Sequence, residues 1–166
     1  MKIFKNLIED PDLEWGFMDG SYIRAHQHSA GAQGKGDQAI GLSRGGKTTK
    51  IHLVVDSFGL PIHFEIKGGQ IHDCTQASDL LENMPTTQYI IADKGYDSKP
   101  LRQIILAKDS TPVIPRKSNS KIGNDDMDWG LYKYRHLVEN TFARLKHFRA
   151  VATRFDKLES NYRAIV

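Results

Sequence analysis

Thr49-Lys50-Ile51-His52-Leu53-Val54-Val55-Asp56-Ser57-Phe58-Gly59-Leu60-Pro61-Ile62-His63-Phe64-Glu65-Ile66 is the stretch whose reading decides the fold. Thr49, Ile51, Leu53 and Val55 fall on one face, Ser57-Phe58-Gly59 can turn the chain, and Ile62, Phe64 and Ile66 repeat the two-residue period. This is the pattern of an antiparallel hairpin. Upstream, Phe17 to Arg24 reads as a strand, and the Gly-rich, basic run from Gln27 to Lys47 has little periodicity and is expected to be a long loop. Downstream, Asp73 and Gln76 have the spacing of a capping box for a helix from about Cys74 to Met84. Tyr89-Ile90-Ile91-Ala92 is short and wholly apolar, as a buried strand should be. Ser98 suits the cap of a helix through Leu106, Pro112-Val113-Ile114 suits a further strand, and Arg116 to Lys121 suits a solvated loop. A last long helix is expected from near Met127. The order strand, strand, strand, helix, strand, helix, strand, helix predicts an α/β fold whose mixed sheet starts antiparallel and continues parallel.

With 166 residues, 39% of them hydrophobic and 26% charged, the chain is expected to form a single domain over residues 1–166, with 1–12 as an N-terminal extension. Its last residues, Ile165 and Val166, lie in an apolar segment, so further C-terminal sequence is expected. No run approaches the roughly 20 apolar residues of a membrane span, and the N-terminus lacks the apolar core of a signal peptide. These features predict a cytoplasmic protein without membrane contact. The one cysteine, Cys74, excludes an internal disulfide and a thiolate metal cluster, and is expected to act as a small buried hydrophobe. Net charge is only +3, so the placement of basic residues must say more than their sum about a polyanionic partner.

Three carboxylates stand out. Asp19 lies inside the first strand, where a charge is costly to bury without a partner or a metal, although a turn-capping Asp would also fit. Asp93 follows Tyr89 to Ala92 and so sits at a strand's carboxyl end, where α/β sheets place their sites; a strand-ending cap is the plainer reading. Glu139 shares a helix with Tyr132, Arg135 and Lys146, whose offsets of three, seven and fourteen confine them to an arc of roughly 60°. Leu131, Val138, Phe142 and Leu145 form the adjoining apolar stripe, so the polar residues border a core. A solvated face with an Arg135–Glu139 pair is the alternative.

Tyr132-x2-Arg135-x3-Glu139-x6-Lys146 resembles the tyrosine-arginine-glutamate-lysine signature of bacterial insertion-sequence transposases with a DDE acidic triad. Met18-Asp19-Gly20-Ser21, Arg24-Ala25-His26-Gln27-His28, Gly36-Asp37-Gln38-Ala39-Ile40-Gly41 and Ala92-Asp93-Lys94-Gly95-Tyr96-Asp97 are similar to the first and second acidic regions of that family's insertion-sequence-five-like branch. The resemblance implies a ribonuclease-H-like fold, with Asp19, Asp93 and Glu139 as catalytic residues and metal ligands. It also implies two Mg²⁺ ions, with Mn²⁺ as a substitute, because hard cations take oxygen ligands and a metal pair can serve both oxygens of an in-line phosphodiester exchange. The activity implied is cleavage at the ends of an insertion sequence and transfer of the 3′-hydroxyl into target DNA. A DNA-binding remnant that no longer cuts, and a nuclease that does not join strands, are the alternatives. Implied partners are double-stranded DNA, as terminal inverted repeats and target, a second copy of the chain on that DNA, and an N-terminal DNA-binding transposase product. Nucleoid association follows. Arg135, Lys146 and Tyr132 are expected at the DNA, as are Arg44 and Lys47 in the glycine-rich loop, where Lys35 and Lys50 add further charge.

Gly41-Leu42-Ser43-Arg44-Gly45-Gly46-Lys47-Thr48 matches the phosphate-loop pattern of nucleotide hydrolases. The context opposes it, since that loop should follow a buried strand and open a helix, whereas a β-patterned run follows here. His26 and His28 alternate on an extended segment and could bind zinc, but no second ligand pair accompanies them, so solvated or DNA-facing histidines are expected. Asp56, Asp73 and Asp97 read as turn or cap residues.

Overall fold

The computed structural model describes residue 8, residues 10–31 and residues 36–166. Lys35 of the basic loop lies outside the described residues. Among these, seven strands make one mixed sheet with β1 (Trp15–Ala25) at its centre. β1 runs antiparallel to β3 (Gly46–Val55), from Phe17 opposite Val55 to Arg24 opposite Thr48. The far side of β3 pairs with β2 (Gly41–Ser43) and with β4 (Pro61–Gly68), so the expected hairpin is formed. On its other side β1 is parallel to β5 (Tyr89–Ala92), and β5 to β6 (Thr111–Val113). The helices α1 (Asp73–Asn83) and α2 (Lys99–Ala107) make the crossovers to β5 and β6. The antiparallel start, the parallel continuation and the order β2-β3-β1-β5-β6 are consistent with a ribonuclease-H-like fold.

Alternation along the strands builds two layers of core. Phe17, Ile23, Ile51, Leu53 and Val55 pack with Val138 and Phe142 on one face, while Met18, Val54, Ile90 and Ala92 pack with Leu80, Leu81 and Ile105 on the other. The hairpin departs from strict alternation at one place. Its register shifts between Val54 and Val55, and Ile62, expected beside Phe64 and Ile66, joins the opposite layer.

Several local expectations are corrected. The glycine-rich run is not all loop: Gly41–Ser43 and Gly46 onward form a two-stranded turn in which Gly46 takes a left-handed φ of 87°. With strand on both sides of that turn, the phosphate-loop arrangement is absent. The last long helix comes in pieces, as α3 (Trp129–Tyr132), a 3-10 turn (Lys133–Arg135) and α4 (His136–Lys146). It starts at Trp129 because the Asp128 carboxylate accepts the Leu131 amide. α5 (Arg149–Ala152), β7 (Thr153–Arg154) and α6 (Glu159–Ile165) follow, and β7 runs parallel to the end of β1.

Arg154 fixes this last segment. Fully buried, it donates to Thr49 Oγ1 (2.8 Å), to the carbonyls of Ala39 (3.2 Å) and Asp156 (3.0 Å), and its guanidinium lies 5.1 Å from the centre of the Tyr162 ring. Thr49 Oγ1 also donates to the Ala39 carbonyl, at 2.7 Å. One side chain therefore ties β7, β3, α6 and the end of the glycine-rich segment together. Arg154→Met should lower unfolding stability by about 2–4 kcal/mol, because it removes the shared donor to Thr49 Oγ1 and to the carbonyls of Ala39 and Asp156. Urea denaturation measures this, and a loss under about 0.5 kcal/mol would show that Arg154 is not the tie.

Candidate active site

Asp19 is a charge placed in the central strand. Its Cα lies opposite Leu53, and the parity of β1 turns its side chain to the face of Phe17 and Ile23, which α4 covers. The parallel register then delivers the second acid: Met18 pairs with Ala92, so Asp93, one residue further, arrives beside Asp19. Asp93 Oδ1 accepts the Gly95 amide at 2.8 Å and caps the 3-10 turn Lys94–Tyr96. Its plain role as a cap and its place beside Asp19 are thus both real. Glu139 comes from the first turn of α4 and its side chain is 50% exposed.

Arg135, one turn before Glu139, joins the far ends of this arrangement. Its Nη1 donates to Asp19 Oδ2 at 3.3 Å and its Nη2 pairs with Glu139 Oε1. The carboxyl of Asp19 is pushed above its ordinary value, first by burial and further by the negative charges of Asp93 and Glu139; the Gly20 amide and Arg135 oppose the shift. Asp93 and Glu139 thus both act on the Asp19 carboxyl, the one through the strand register and the other through the shared Arg135. Among the described residues, no three His, Cys, Asp or Glu side chains are already placed so that they could hold a metal ion. The donor set nonetheless fits a hard divalent cation, being carboxylate oxygen alone, desolvated at Asp19 and open to water at Glu139.

The remaining residues singled out in the sequence are spread more widely. Tyr132 packs edge-on against Trp129 (5.8 Å) and borders the core, close enough for its phenol to influence Arg135. Lys146 is exposed two turns beyond Glu139, about 10 Å along the helix. Arg44 and Lys47 are exposed on the β2–β3 turn, remote from the acids along β1. Cys74 is only half-buried, and its Sγ donates to the Gly95 carbonyl at 3.0 Å. Asp56 accepts the Phe58 and Leu60 amides as a turn residue should, and Asp97 pairs with Arg102.

Behind Gly20, on the opposite face of β1, lies a cluster that sequence reading missed. Asp73 is not a capping-box residue: His72 occupies the N-cap without a side-chain bond, and the Asp73 carboxylate pairs with the buried Lys50 and lies 3.7 Å from His52 Nδ1. Burial lowers the His52 pKa to about 4, so this ring is neutral at pH 7. A Cβ on Gly20 would come within 2.7 Å of Lys50 Cε and 3.1 Å of Asp73 Oδ1, so a larger residue there would push the Lys50–Asp73 pair aside. The available signal was the alternation itself, which sets Lys50 and His52 on the face opposite Ile51 and Leu53.

Carboxylates brought together from a central strand, its parallel neighbour and a late helix define a mixed α/β domain with a polyacidic centre. The chain belongs to the transposase DDE domain family, whose profile matches residues 11–166. It is 37% identical over 110 residues to a protein named as a transposase for insertion sequence element IS6501 in Brucella ovis, a match covering 66% of this chain and 85% of that one. It is also 32% identical over 120 residues to one named for element IS402 in Burkholderia cepacia, covering 66% of this chain and 54% of the relative. A third, the transposase for element IS1106 in Neisseria meningitidis, is 31% identical over 100 residues, covering 58% of this chain and 35% of its own length. No solved structure matches the chain. Family membership makes it a transposition enzyme of a class that works with divalent metal ions. No helix among the described residues is long and apolar enough to cross a membrane.

The raised pKa of Asp19 carries a stability consequence. Since the folded chain holds this proton to higher pH than the unfolded one, stability falls as pH rises from 3.8 through the raised value, and the cost is complete above it. Asp19→Asn should therefore raise the Tm of the metal-free protein at pH 7 and leave it unchanged near pH 3. A lower Tm for the variant at pH 7 would show instead that pairing with Arg135 outweighs burial.

Proposed function

We propose that the chain is the single catalytic domain of a Mg²⁺-dependent transposase that cleaves DNA at insertion-sequence ends and transfers the 3′-hydroxyl into target DNA. The observation that carries this reading is the strand register that sets Asp93 beside Asp19, with Arg135 linking Asp19 to Glu139. Asp19, Asp93 and Glu139 are the residues that would hold two Mg²⁺ ions, or Mn²⁺ in their place, which when bound would supply charge stabilisation to an in-line phosphodiester exchange.

The chain's own residues divide the remaining work. Arg135 steadies the Asp19 and Glu139 carboxylates and keeps a positive charge where a phosphate must approach. Lys146 meets a phosphate further along α4, and exposed Arg44 and Lys47 meet the DNA backbone at the β2–β3 turn. Tyr132 holds the helix to the core. The partners are terminal inverted repeats and target DNA, a second copy of the chain on that DNA, and an N-terminal DNA-binding region supplied with it. Such a protein works in the cytoplasm at the nucleoid.

Asp19→Asn, Asp93→Asn and Glu139→Gln should each abolish cleavage of element-end DNA while leaving the fold and most DNA binding in place. Each removes a ligand charge at nearly constant shape. Gel analysis of end-labelled DNA with Mg²⁺ checks this, and full cleavage by any variant would remove that residue from the centre.

Lys146→Ala should weaken binding across all sequences and reduce the salt slope by about 0.9, as for one lost phosphate contact. Lys47→Ala should still cleave, and without ATP. ATP-dependent cleavage lost in that variant would restore the nucleotide-hydrolase reading of residues 41–48.

A further inference from the structure

Along β1, Met18, Gly20, Tyr22 and Arg24 point away from the face that carries Asp19. The helices cover only part of this second face. Met18 is buried in the layer built with α1 and α2, Gly20 abuts Asp73 at the start of α1, but Tyr22 is 50% exposed and Arg24 is exposed. Past the end of the strand, His26 is sandwiched between two rings. Its centre is 4.9 Å from that of His28, with planes 10° apart, and 4.4 Å from that of Phe155, with planes 27° apart. Phe155 is 44% exposed and His28 is exposed, so the stack ends in open rings on both sides. It reaches this place because β7 pairs Thr153 with Arg24.

One cleft adjoins the stack at His26, and a second meets the first at Gly45. The first is lined by Arg24, His26 and Lys47, the second by Tyr22, Leu42 and Arg44. Neither lining contains an acidic residue. Although Lys47 also borders a third cleft that contains Asp37, the two clefts themselves present cations and no acid, which suits phosphates, and open ring faces suit nucleobases, which stack on aromatic side chains whatever their sequence. Bases inside an intact duplex are already stacked on each other, so such a platform favours strands that are unpaired or locally opened.

We propose that this bare end of the sheet is a second nucleic-acid site, which binds single-stranded or unstacked DNA. Its phosphates lie against Arg24, Arg44 and Lys47, and a base lies on the stack around His26. The inference rests on the transposase reading and deepens it: to the Arg44 and Lys47 contacts already placed at the DNA it adds Arg24, the ring stack and an unpaired strand as the DNA form held there. Seven residues of extended strand place His26 about 23 Å from Asp19, so the nucleotide held here is not the one being cut.

The test is metal-free binding of the full chain to a single-stranded oligonucleotide, in EDTA and across a salt series. Anisotropy reports affinity, and the fluorescent base 2-aminopurine reports stacking. Wild type should bind the single strand more tightly than the matching duplex and change the 2-aminopurine signal. His26→Ala and Phe155→Leu should each weaken single-strand binding about tenfold, within the range for one lost stacking contact, while Phe155→Trp should bind like wild type. Arg24→Ala combined with Lys47→Ala should lower the salt slope by about 1.4, as for two phosphate contacts on a single strand. A variant with Asp19→Asn, Asp93→Asn and Glu139→Gln together should bind the single strand as wild type does. Equal binding by wild type and the two ring variants, once melting shows them folded, overturns the inference; so does loss of binding in the triple acid variant. Element-end cleavage by wild type alongside unaffected ring variants would refute this site alone. Single-strand binding that depends on the rings, without any cleavage, would refute the catalytic reading and leave this site in place.

Discussion

A carboxylate in the middle strand of a sheet is the constraint around which the rest of this structure is arranged. Asp19 cannot leave β1 without breaking the pairing with β3 and β5 that builds both core layers, and it cannot be solvated fully where it stands. Two groups help it bear that place, an amide from Gly20 and a guanidinium from Arg135, while its acidic neighbours work against its charge. The arrangement sacrifices some stability to hold charge in a fixed place, as functional sites commonly do.

Much of this was legible in the sequence because it depends on local period. The hairpin, the buried strand before Asp93 and the Ser98-capped helix each follow from alternation, apolar runs and a capping hydroxyl. Strand position singled out Asp19 and Asp93 and a helix stripe put Arg135 beside Glu139, while grouping the three acids into one centre rested on the family resemblance.

What escaped was either very short or long-range. β2, β7 and α5 span two to four residues, too few for any period to show. The burial of Arg154 depends on partners from residue 39 to residue 162, and no pattern within its own segment announces it. Asp73 was misread because capping-box spacing is also available to a carboxylate recruited by a buried lysine. Contact of Arg135 with Asp19, across 116 positions, is likewise a property of the fold.

The tie through Arg154 has a consequence for how the protein comes into being. β1, β2 and β3 can pair as soon as they are made, yet the tie that joins them to the end of the glycine-rich segment and to β7 comes from Arg154, far along the chain. The acids face the same delay, since Asp19 emerges long before Arg135 and Glu139 can reach it. An incomplete polypeptide released early from the ribosome would carry one or two of these carboxylates on an unfastened hairpin. Residues 135–154 thus serve as the late fastening, in that a fragment lacking them inherits the charges without the means to hold them together.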